Sequence, residues 1–246
     1  MGKNKLKKFN EIRTFDHVVQ APFSAIKNED FHLKSSWKQQ FFGNNNPLIV
    51  ELGCGKGEYA VELAEKNPGK NYLGVDIKGA RLWKGAKTAK EKELRNVGFL
   101  RTNIEIISQF FAPGEVDEIW LTFPDPQMNK FRRRLTSSVF LNKYRQFLSK
   151  DGIIHLKTDS NFQYRYTSAL VHYNSLAVVA ETNDVYHSDI LDDTLQIKTF
   201  YEKQWLERGM SIKYIAFRLN EVELKEPEVY IEKDEYRSFG RSARER

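Results

Sequence analysis

The sequence predicts an α/β fold in which a mostly parallel sheet carries helices on both faces. From about residue 47, short apolar runs of strand length alternate with stretches of helical periodicity. A glycine-rich turn follows the first of these runs, and an acidic residue ends the second. Because strands that alternate with helices form parallel sheets through right-handed crossovers, this order predicts one sheet with helices on both sides.

Seven strands and four helices are predicted between residues 48 and 219. The strands are apolar runs bounded by turn residues, and Pro68-Gly69 and Asp151-Gly152 mark two of these boundaries. The predicted strands are 48–52 (LIVEL), 71–76 (NYLGVD), 97–101 (VGFLR), 117–123 (DEIWLTF), 153–158 (IIHLKT), 176–181 (LAVVAE) and 212–219 (IKYIAFRL). The predicted helices are 57–66, 79–94, 136–149 and 161–173.

These elements lie in one predicted domain, residues 41–220. Residues 1–40 form a basic N-terminal extension, and residues 221–246 form a charged C-terminal tail that is poor in apolar residues. Since such a tail cannot bury enough apolar surface to offset the entropy of ordering, its last twenty or so residues are expected to be disordered.

Composition restricts the class of protein. With 40% hydrophobic and 29% charged residues, the chain of 246 residues is expected to be soluble and globular. No run approaches the roughly 18 apolar residues of a membrane span, and the N-terminus lacks the apolar region of a secretory signal. A single cysteine, Cys54, excludes an internal disulfide and predicts the cytoplasm. The formal charge of +6 favours an anionic partner, with nucleic acid ahead of a membrane surface.

The glycine-rich turn reads ELGCGKG over residues 51–57 and contains Gly53, Gly55 and Gly57. Glycines at this point allow a tight turn and close approach of a ligand to the backbone at a helix N-terminus. Glu51 precedes the turn, and Asp76 ends the second strand, where its carboxylate can accept hydrogen bonds from a ribose diol. The GxGxG spacing differs from the GxGxxG of nicotinamide-binding folds. The alternative is a glycine turn with no ligand and two surface acids.

This combination resembles the S-adenosylmethionine-binding motif of class I methyltransferases. The resemblance implies the Rossmann-like class I methyltransferase fold, with a mostly parallel seven-stranded sheet, and S-adenosylmethionine as the cofactor. It places Glu51 near the amino-acid end of the cofactor, Asp76 on the ribose hydroxyls and Asn103 on the adenine. No metal site is predicted.

Three further motifs narrow the resemblance. FPDP follows the fourth strand at residues 123–126, KTD ends the fifth at 157–159, and TFYE spans 199–202. In this order they resemble the tRNA (guanine-N(7)-)-methyltransferase family of the bacterial TrmB type, over about residues 47–220. The resemblance implies an enzyme that methylates N7 of a guanosine in the tRNA variable loop (position 46), giving 7-methylguanosine.

The family resemblance also implies roles for single residues. Asp125 would line the cofactor and the reaction site, where its carboxylate would stabilise the positive charge that forms on the purine. The residues implied to contact the target guanosine are Asn129, Asp159, Thr199 and Glu202. The residues implied to contact RNA are Lys130, Arg132, Arg133 and Arg134. Position 129 departs from the family, which has a substrate-contacting lysine there, and Lys130 and Arg132 are the candidates to replace it.

Each motif also has a structural interpretation. Pro-Asp-Pro is typical of a turn. Asp159 or Ser160 could cap the helix that follows, and Thr199 with Glu202 has the spacing of a capping box. The five histidines are scattered and are interpreted as structural or surface residues, since attack by guanine N7 requires no general base.

Two other functions remain open from the residues alone. One is a small-molecule methyltransferase on the same fold, and the other is a non-catalytic RNA-binding module. A ridge of basic residues along the second predicted helix could bind folded RNA through phosphates, or could simply be a solvated helix face. The ridge comprises Lys78, Arg81, Lys84, Lys87 and Lys90. The sequence predicts no oligomeric state.

Overall fold

An eight-stranded sheet runs through the described part of the computed structural model, residues 3–23, 26 and 30–238. Its strands are β1 (Val18–Gln20), β2 (Leu48–Leu52), β3 (Asn71–Val75), β4 (Val97–Arg101), β5 (Val116–Thr122), β6 (Leu148–Thr158), β7 (Ala177–Thr182) and β8 (Lys213–Arg218). The α-helices are α1 (Lys3–Glu11), α2 (Glu58–Lys66), α3 (Gly79–Glu91), α4 (Ser138–Tyr144), α5 (Asn161–Tyr173), α6 (Phe200–Glu207) and α7 (Glu235–Ser238).

The strand order is β1-β4-β3-β2-β5-β6-β8-β7. Neighbours from β1 to β6 pair in parallel, whereas β8 is antiparallel to both β6 and β7. The chain winds outward from β2 through β3 and β4, then returns to place β5 on the other side of β2. The carboxyl ends of β2 and β5 therefore meet at a topological switch point, where ligands bind in sheets of this kind.

The predicted fold class is confirmed, and each of the seven predicted strands is present. One predicted helix, 136–149, is shorter than expected because α4 ends at Tyr144 and β6 begins at Leu148. The eighth strand, β1, comes from the N-terminal extension and pairs with β4, with Val18 opposite Phe99. At three residues, β1 is too short to show a periodic pattern in the sequence.

Hydrophobic cores cover both faces of the sheet. All five residues of β2 are buried, as expected for a central parallel strand with helices on each side. Leu48 and Val50 point into one core, which also contains residues of α4 and α5. Ile49 points into the other, with residues of α2 and α3.

Both terminal segments contact the central domain. In the N-terminal extension Ile12 and Trp37 are fully buried, and the Trp37 indole N–H donates to the carbonyl of Phe110 at 2.9 Å. In the C-terminal tail Leu224 and Asp234 are buried. Residues 239–246, part of the stretch predicted to be disordered, lie outside the described residues. No helix within the described ranges is long and apolar enough to cross a membrane.

Candidate active site

The glycine turn leads from β2 into α2 with three left-handed glycines. Their φ angles are 80° at Gly53, 57° at Gly55 and 66° at Gly57, a conformation that other residues rarely adopt. A Cβ on Gly53 or Gly55 would meet no atom closer than 3.8 Å, so a ligand can approach the backbone there. A Cβ on Gly57 would lie 2.5 Å from the ring of Phe99. Gly53 and Gly55 therefore leave space for a ligand, and Gly57 permits close packing of Phe99 against the turn.

Both predicted acids lie against this turn. The half-buried Asp76 accepts one hydrogen bond from the Gly55 N–H, at 3.0 Å through Oδ2, and one from the Lys78 N–H, at 2.7 Å through Oδ1. The buried Glu51 accepts from the Ala60 N–H at 3.0 Å and from the hydroxyl of Thr122. Burial raises the pKa of Glu51 to about 7, although these two hydrogen bonds act to lower it.

These groups surround one cleft at the switch point. The cleft contains about 500 Å³ of space, including the part open to solvent. Its walls come from β2, the glycine turn, the ends of β3 and β5, α3 and the start of α6. The lining residues are Glu51, Gly53, Cys54, Gly55, Lys56, Glu58, Asp76, Arg81, Thr122, Phe123, Thr199 and Tyr201. Two carboxylates and an exposed glycine backbone suit a ligand with a cationic end and a ribose.

Several of these lining residues were not predicted. Thr122 ends β5, Phe123 follows it as the first residue of FPDP, and Tyr201 lies inside the TFYE motif. The signal for Thr122 and Phe123 in the sequence was position alone, because the end of a strand that neighbours β2 faces the switch point. Arg81 was predicted only as part of the basic ridge.

The FPDP loop forms a strained rim beyond β5. Phe123 and Gln127 have left-handed φ angles of 50° and 47°, a conformation that is unfavourable for residues with a Cβ. The Phe123 N–H donates to the Lys157 carbonyl at 2.8 Å and thereby fixes this loop to β6. Asp125 is exposed, accepts from the Gln127 N–H at 3.0 Å and is not among the residues that line the cleft. Its predicted turn geometry is present, and its predicted roles stay predictions.

Asn103 also lies outside the cleft lining. It is exposed at the end of β4 and accepts from the Glu105 N–H at 3.1 Å, so it caps the 3-10 helix Ile104–Gln109. Its contact with adenine stays a prediction.

Asp159 ends the KTD motif and is fully buried. Its Oδ2 accepts from the Tyr236 hydroxyl at 2.7 Å, and its carbonyl accepts from Lys213 Nζ at 3.0 Å. Of the two residues considered for capping α5, Ser160 does so, accepting from the Gln163 N–H at 2.9 Å. The capping interpretation therefore applies to Ser160 and leaves Asp159 for other contacts.

Thr199 and Glu202 form half of a capping box. Thr199 accepts from the Glu202 N–H at 3.2 Å at the start of α6. The Glu202 side chain pairs instead with Lys157, with 2.7 Å between Oε1 and Nζ, and accepts from the Tyr186 hydroxyl at 2.6 Å. Burial raises the pKa of Glu202 and lowers that of Lys157, and the opposite charge of each partner resists both shifts. Thr199 reaches the cleft, whereas Glu202 lies behind it.

The arginine triplet divides into two parts, which corrects one prediction. Arg132 and Arg133 are exposed. Arg134 is only 3% exposed, donates to the carbonyls of Pro126 (2.9 Å) and Gln127 (3.2 Å), and lies 3.8 Å from the ring centre of Tyr166. Because its guanidinium is committed to supporting the FPDP loop, Arg134 is not available to RNA.

The other predicted basic positions are exposed or, at Lys87, half-buried, and several of them have partners within the protein. Lys130 and Asn129 are both exposed, and Asn129 Oδ1 accepts from Lys233 Nζ at 2.6 Å. On the α3 ridge, Lys84 lies 3.2 Å from Glu58. Lys87 and Lys90 of the same ridge stand over the aromatic rings of Trp83 and Phe15.

The fold and the cleft define a class I methyltransferase. A family model described as "Putative methyltransferase" matches residues 45–215. Among solved structures with a similar fold are the 16S rRNA methyltransferase KamB (TM-score 0.56, 12% identity, 74% of this chain and 92% of that one) and the aminoglycoside resistance methyltransferase NpmB1 (0.53, 16%, 78% and 97%). At these identities, the structures show the fold alone.

Curated relatives identify the family more narrowly. The tRNA (guanine-N(7)-)-methyltransferase of Bacteroides thetaiotaomicron is 57% identical, over 99% of this chain and 97% of its own length. The proteins of that name from Porphyromonas gingivalis and Listeria innocua are 51% and 36% identical, over 95% and 80% of this chain and 98% and 91% of their own lengths. The chain belongs to the tRNA (guanine-N(7)-)-methyltransferase family.

Proposed function

We propose that this protein transfers a methyl group from S-adenosylmethionine to N7 of a guanosine in tRNA, forming 7-methylguanosine. The observation that carries the proposal is the cleft at the switch point. There the glycine turn, Glu51 and Asp76 meet in a chain that is 57% identical to a tRNA (guanine-N(7)-)-methyltransferase.

The cleft has the donor and acceptor set that this cofactor needs. Each carboxylate oxygen of Asp76 accepts one backbone N–H and has a second lone pair, which a ribose hydroxyl can use. Glu51 lines the same cleft and is proposed to lie near the amino-acid end of the cofactor, and Asn103 is proposed to contact the adenine. S-adenosylmethionine supplies an electrophilic methyl group on sulfur when bound.

The residues at the rim position the target base and stabilise charge. Guanine N7 carries a lone pair in the ring plane, so attack on a methyl group needs no proton removed beforehand. A positive charge then develops on the purine, and the proposed role of the exposed Asp125 carboxylate is to offset it. Arg134 donates to the carbonyls of Pro126 and Gln127, and these hydrogen bonds fix the FPDP loop and keep the Asp125 carboxylate at the rim.

Buried carboxylate oxygens can distinguish guanine from other bases by accepting hydrogen bonds from its N–H groups. Its Watson–Crick edge presents N–H donors that a carboxylate can accept. Glu202 Oε2 is buried and has no hydrogen-bond partner within the described residues, which suits an acceptor awaiting a substrate N–H. Asp159 offers a second buried carboxylate, and the Thr199 hydroxyl lies on the cleft wall.

The finer proposals concern the target nucleotide, the contacts with tRNA and the location of the enzyme in the cell. The target is a guanosine in the variable loop (position 46), and the enzyme is cytoplasmic. Lys130, Arg132 and Arg133 contact tRNA phosphates, and Asn129 contacts the substrate nucleotide. All four side chains are exposed beyond the FPDP loop, where a folded RNA can reach them.

Nucleoside mass spectrometry tests the proposal. Purified protein with S-adenosylmethionine and unmodified tRNA should yield 7-methylguanosine, and mapping of the product should place it in the variable loop. A different methylated base from cofactor-bound protein would contradict the base assignment. Binding of RNA with no affinity for S-adenosylhomocysteine in calorimetry would contradict the enzyme assignment.

A further inference from the structure

The C-terminal segment 227–238 lies across the region assigned to the target base. Lys233 Nζ donates to Asn129 Oδ1 at 2.6 Å, and the Tyr236 hydroxyl donates to Asp159 Oδ2 at 2.7 Å. These contacts join the segment to the loop after β5 and to the loop after β6. Two of the four residues proposed to contact the target guanosine therefore hydrogen-bond to this segment.

A buried aspartate anchors the segment at the start of α5. Asp234 is 6% exposed, accepts from the Phe162 N–H at 3.0 Å through Oδ1, and accepts from the Ser160 hydroxyl through Oδ2. A carboxylate at a helix N-terminus satisfies otherwise unpaired N–H groups and interacts favourably with the helix dipole. The segment thus has one defined attachment point beside Asp159.

The rest of the attachment is shallow and includes one partly buried apolar residue, Ile231, which packs against the hydrophobic core. Among residues 227–236, Asp234 is the one buried side chain, and Tyr230 is 91% exposed. The ring of Tyr236 meets Trp205 of α6 edge to face, with 5.4 Å between ring centres, and remains 38% exposed. A segment with so little buried apolar surface can detach at low cost, unlike the strands beneath it.

The hydroxyl of Tyr236 occupies one oxygen of the Asp159 carboxylate. Asp159 has no exposed surface, whereas Tyr236, which donates to it, is exposed. A base that takes this hydrogen bond on Asp159 Oδ2 must therefore displace the Tyr236 hydroxyl. The phenol O–H and the guanine N–H groups are donors to the same kind of acceptor, so each can replace the other without leaving the buried carboxylate short of a donor.

We propose that the segment 227–238 is a strap that closes the target-base site, and that the Tyr236 hydroxyl occupies on Asp159 the place that a guanine N–H takes when tRNA binds. The inference rests on the proposed function, because it takes Asp159 as a guanine contact. Release of the strap then precedes or accompanies binding of the base. Only nucleotides that can replace the lost hydrogen bond recover its cost, so Tyr236 contributes to specificity for guanine.

Steady-state kinetics of Tyr236→Phe test the strap. The variant keeps the ring and removes the competing hydroxyl, so the open state becomes more populated, and the KM for tRNA should fall by about three- to tenfold. Tyr230→Phe is the matched control, since it removes a hydroxyl from an exposed tyrosine of the same segment, and its KM should equal that of the wild type. An unchanged or increased KM in Tyr236→Phe would overturn the proposal.

Hydrogen exchange gives a readout that does not depend on turnover. When wild-type protein binds unmodified tRNA in the presence of S-adenosylhomocysteine, the Phe162 amide, which donates to Asp234 of the segment, should exchange faster. Slower exchange of this amide would show that the segment clamps the RNA, which is the opposite result. Failure of the proposed function is separate: it would appear as wild-type protein that binds tRNA but forms no 7-methylguanosine.

Discussion

Lys157 and Glu202 form an ion pair in which neither side chain has any exposed surface, with 2.7 Å between Nζ and Oε1. Lys157 Nζ also donates to the carbonyls of Leu195 and Ile197 at 2.7 and 2.9 Å, so its three N–H groups all have acceptors. Lys157 belongs to β6 and Glu202 to α6. The pair therefore fixes the TFYE motif against the KTD motif and sets the distance between the acidic side chains proposed to recognise guanine.

Lys157→Met should destabilise the protein strongly. It leaves the Glu202 carboxylate buried without its cation, and the loss of one partner of a buried pair costs about 3–5 kcal/mol. Urea denaturation near neutral pH measures the change in the free energy of unfolding. The loss should shrink in acid, because protonation of Glu202 removes the buried charge. Lys203→Met, at an exposed position of α6, is the control; equal stability of the two variants would refute this account of the pair.

Glu51 makes stability depend on pH. Its pKa is about 7 in the folded protein, against 4.5 for an ordinary glutamate. The folded state therefore holds the Glu51 proton more tightly than the unfolded chain between these values. The bound proton thereby contributes about 3 kcal/mol to the free energy of unfolding. This contribution is complete below pH 4.5 and is lost as the pH rises to about 7.

Glu51→Gln removes this dependence. The free energy of unfolding of the variant, relative to the wild type, should rise by about 3 kcal/mol between pH 4.5 and 7.5. Denaturation curves at several pH values measure it, and Glu221→Gln, at an exposed position, should follow the wild type. A difference that does not vary with pH would show that Glu51 titrates normally.

Asp125→Asn should reduce catalysis without disturbing the rim. The amide oxygen can still accept from the Gln127 N–H, so the turn is kept while the negative charge is lost. We expect kcat/KM to fall by about 10²- to 10³-fold, the usual effect of one electrostatic contact in the transition state. Single-turnover methylation of tRNA measures it, and near-normal kcat/KM would exclude Asp125 from the reaction site. The free energy of unfolding should not change, since the side chain is exposed.

Substitution of the three arginines after the FPDP loop should have two different effects, one on tRNA binding and one on stability. Arg132→Ala with Arg133→Ala should weaken tRNA binding and reduce the slope of log affinity against log salt by about one to two units, with stability unchanged. Arg134→Ala should instead lower the free energy of unfolding by about 1–3 kcal/mol, because it leaves buried carbonyls without their donor. Salt-dependent binding and urea denaturation of both variants give the test. A reduced salt slope in Arg134→Ala, at wild-type stability, would return that residue to the RNA surface.

Local patterns were sufficient to predict seven of the eight strands and the grouping of several residues around the glycine turn. Strand β2 and the glycine turn after it are contiguous in sequence, and the strand ending at Asp76 pairs directly with β2. Periodicity and glycine spacing report such short-range relations, because the strand-turn-helix geometry follows from the residues themselves. Glu51, Gly53, Gly55 and Asp76 accordingly line one cleft, whereas Gly57 packs against Phe99.

Only the tertiary structure decided which charged residues face solvent and which face one another. In the sequence, Arg134 is indistinguishable from Arg132, yet Pro126 and Tyr166 bury it. The Tyr236 hydroxyl reaches Asp159 across 77 positions of the chain. Such contacts depend on how helices and loops pack above the sheet, and packing at long sequence separation leaves no periodic trace in the residues that make it.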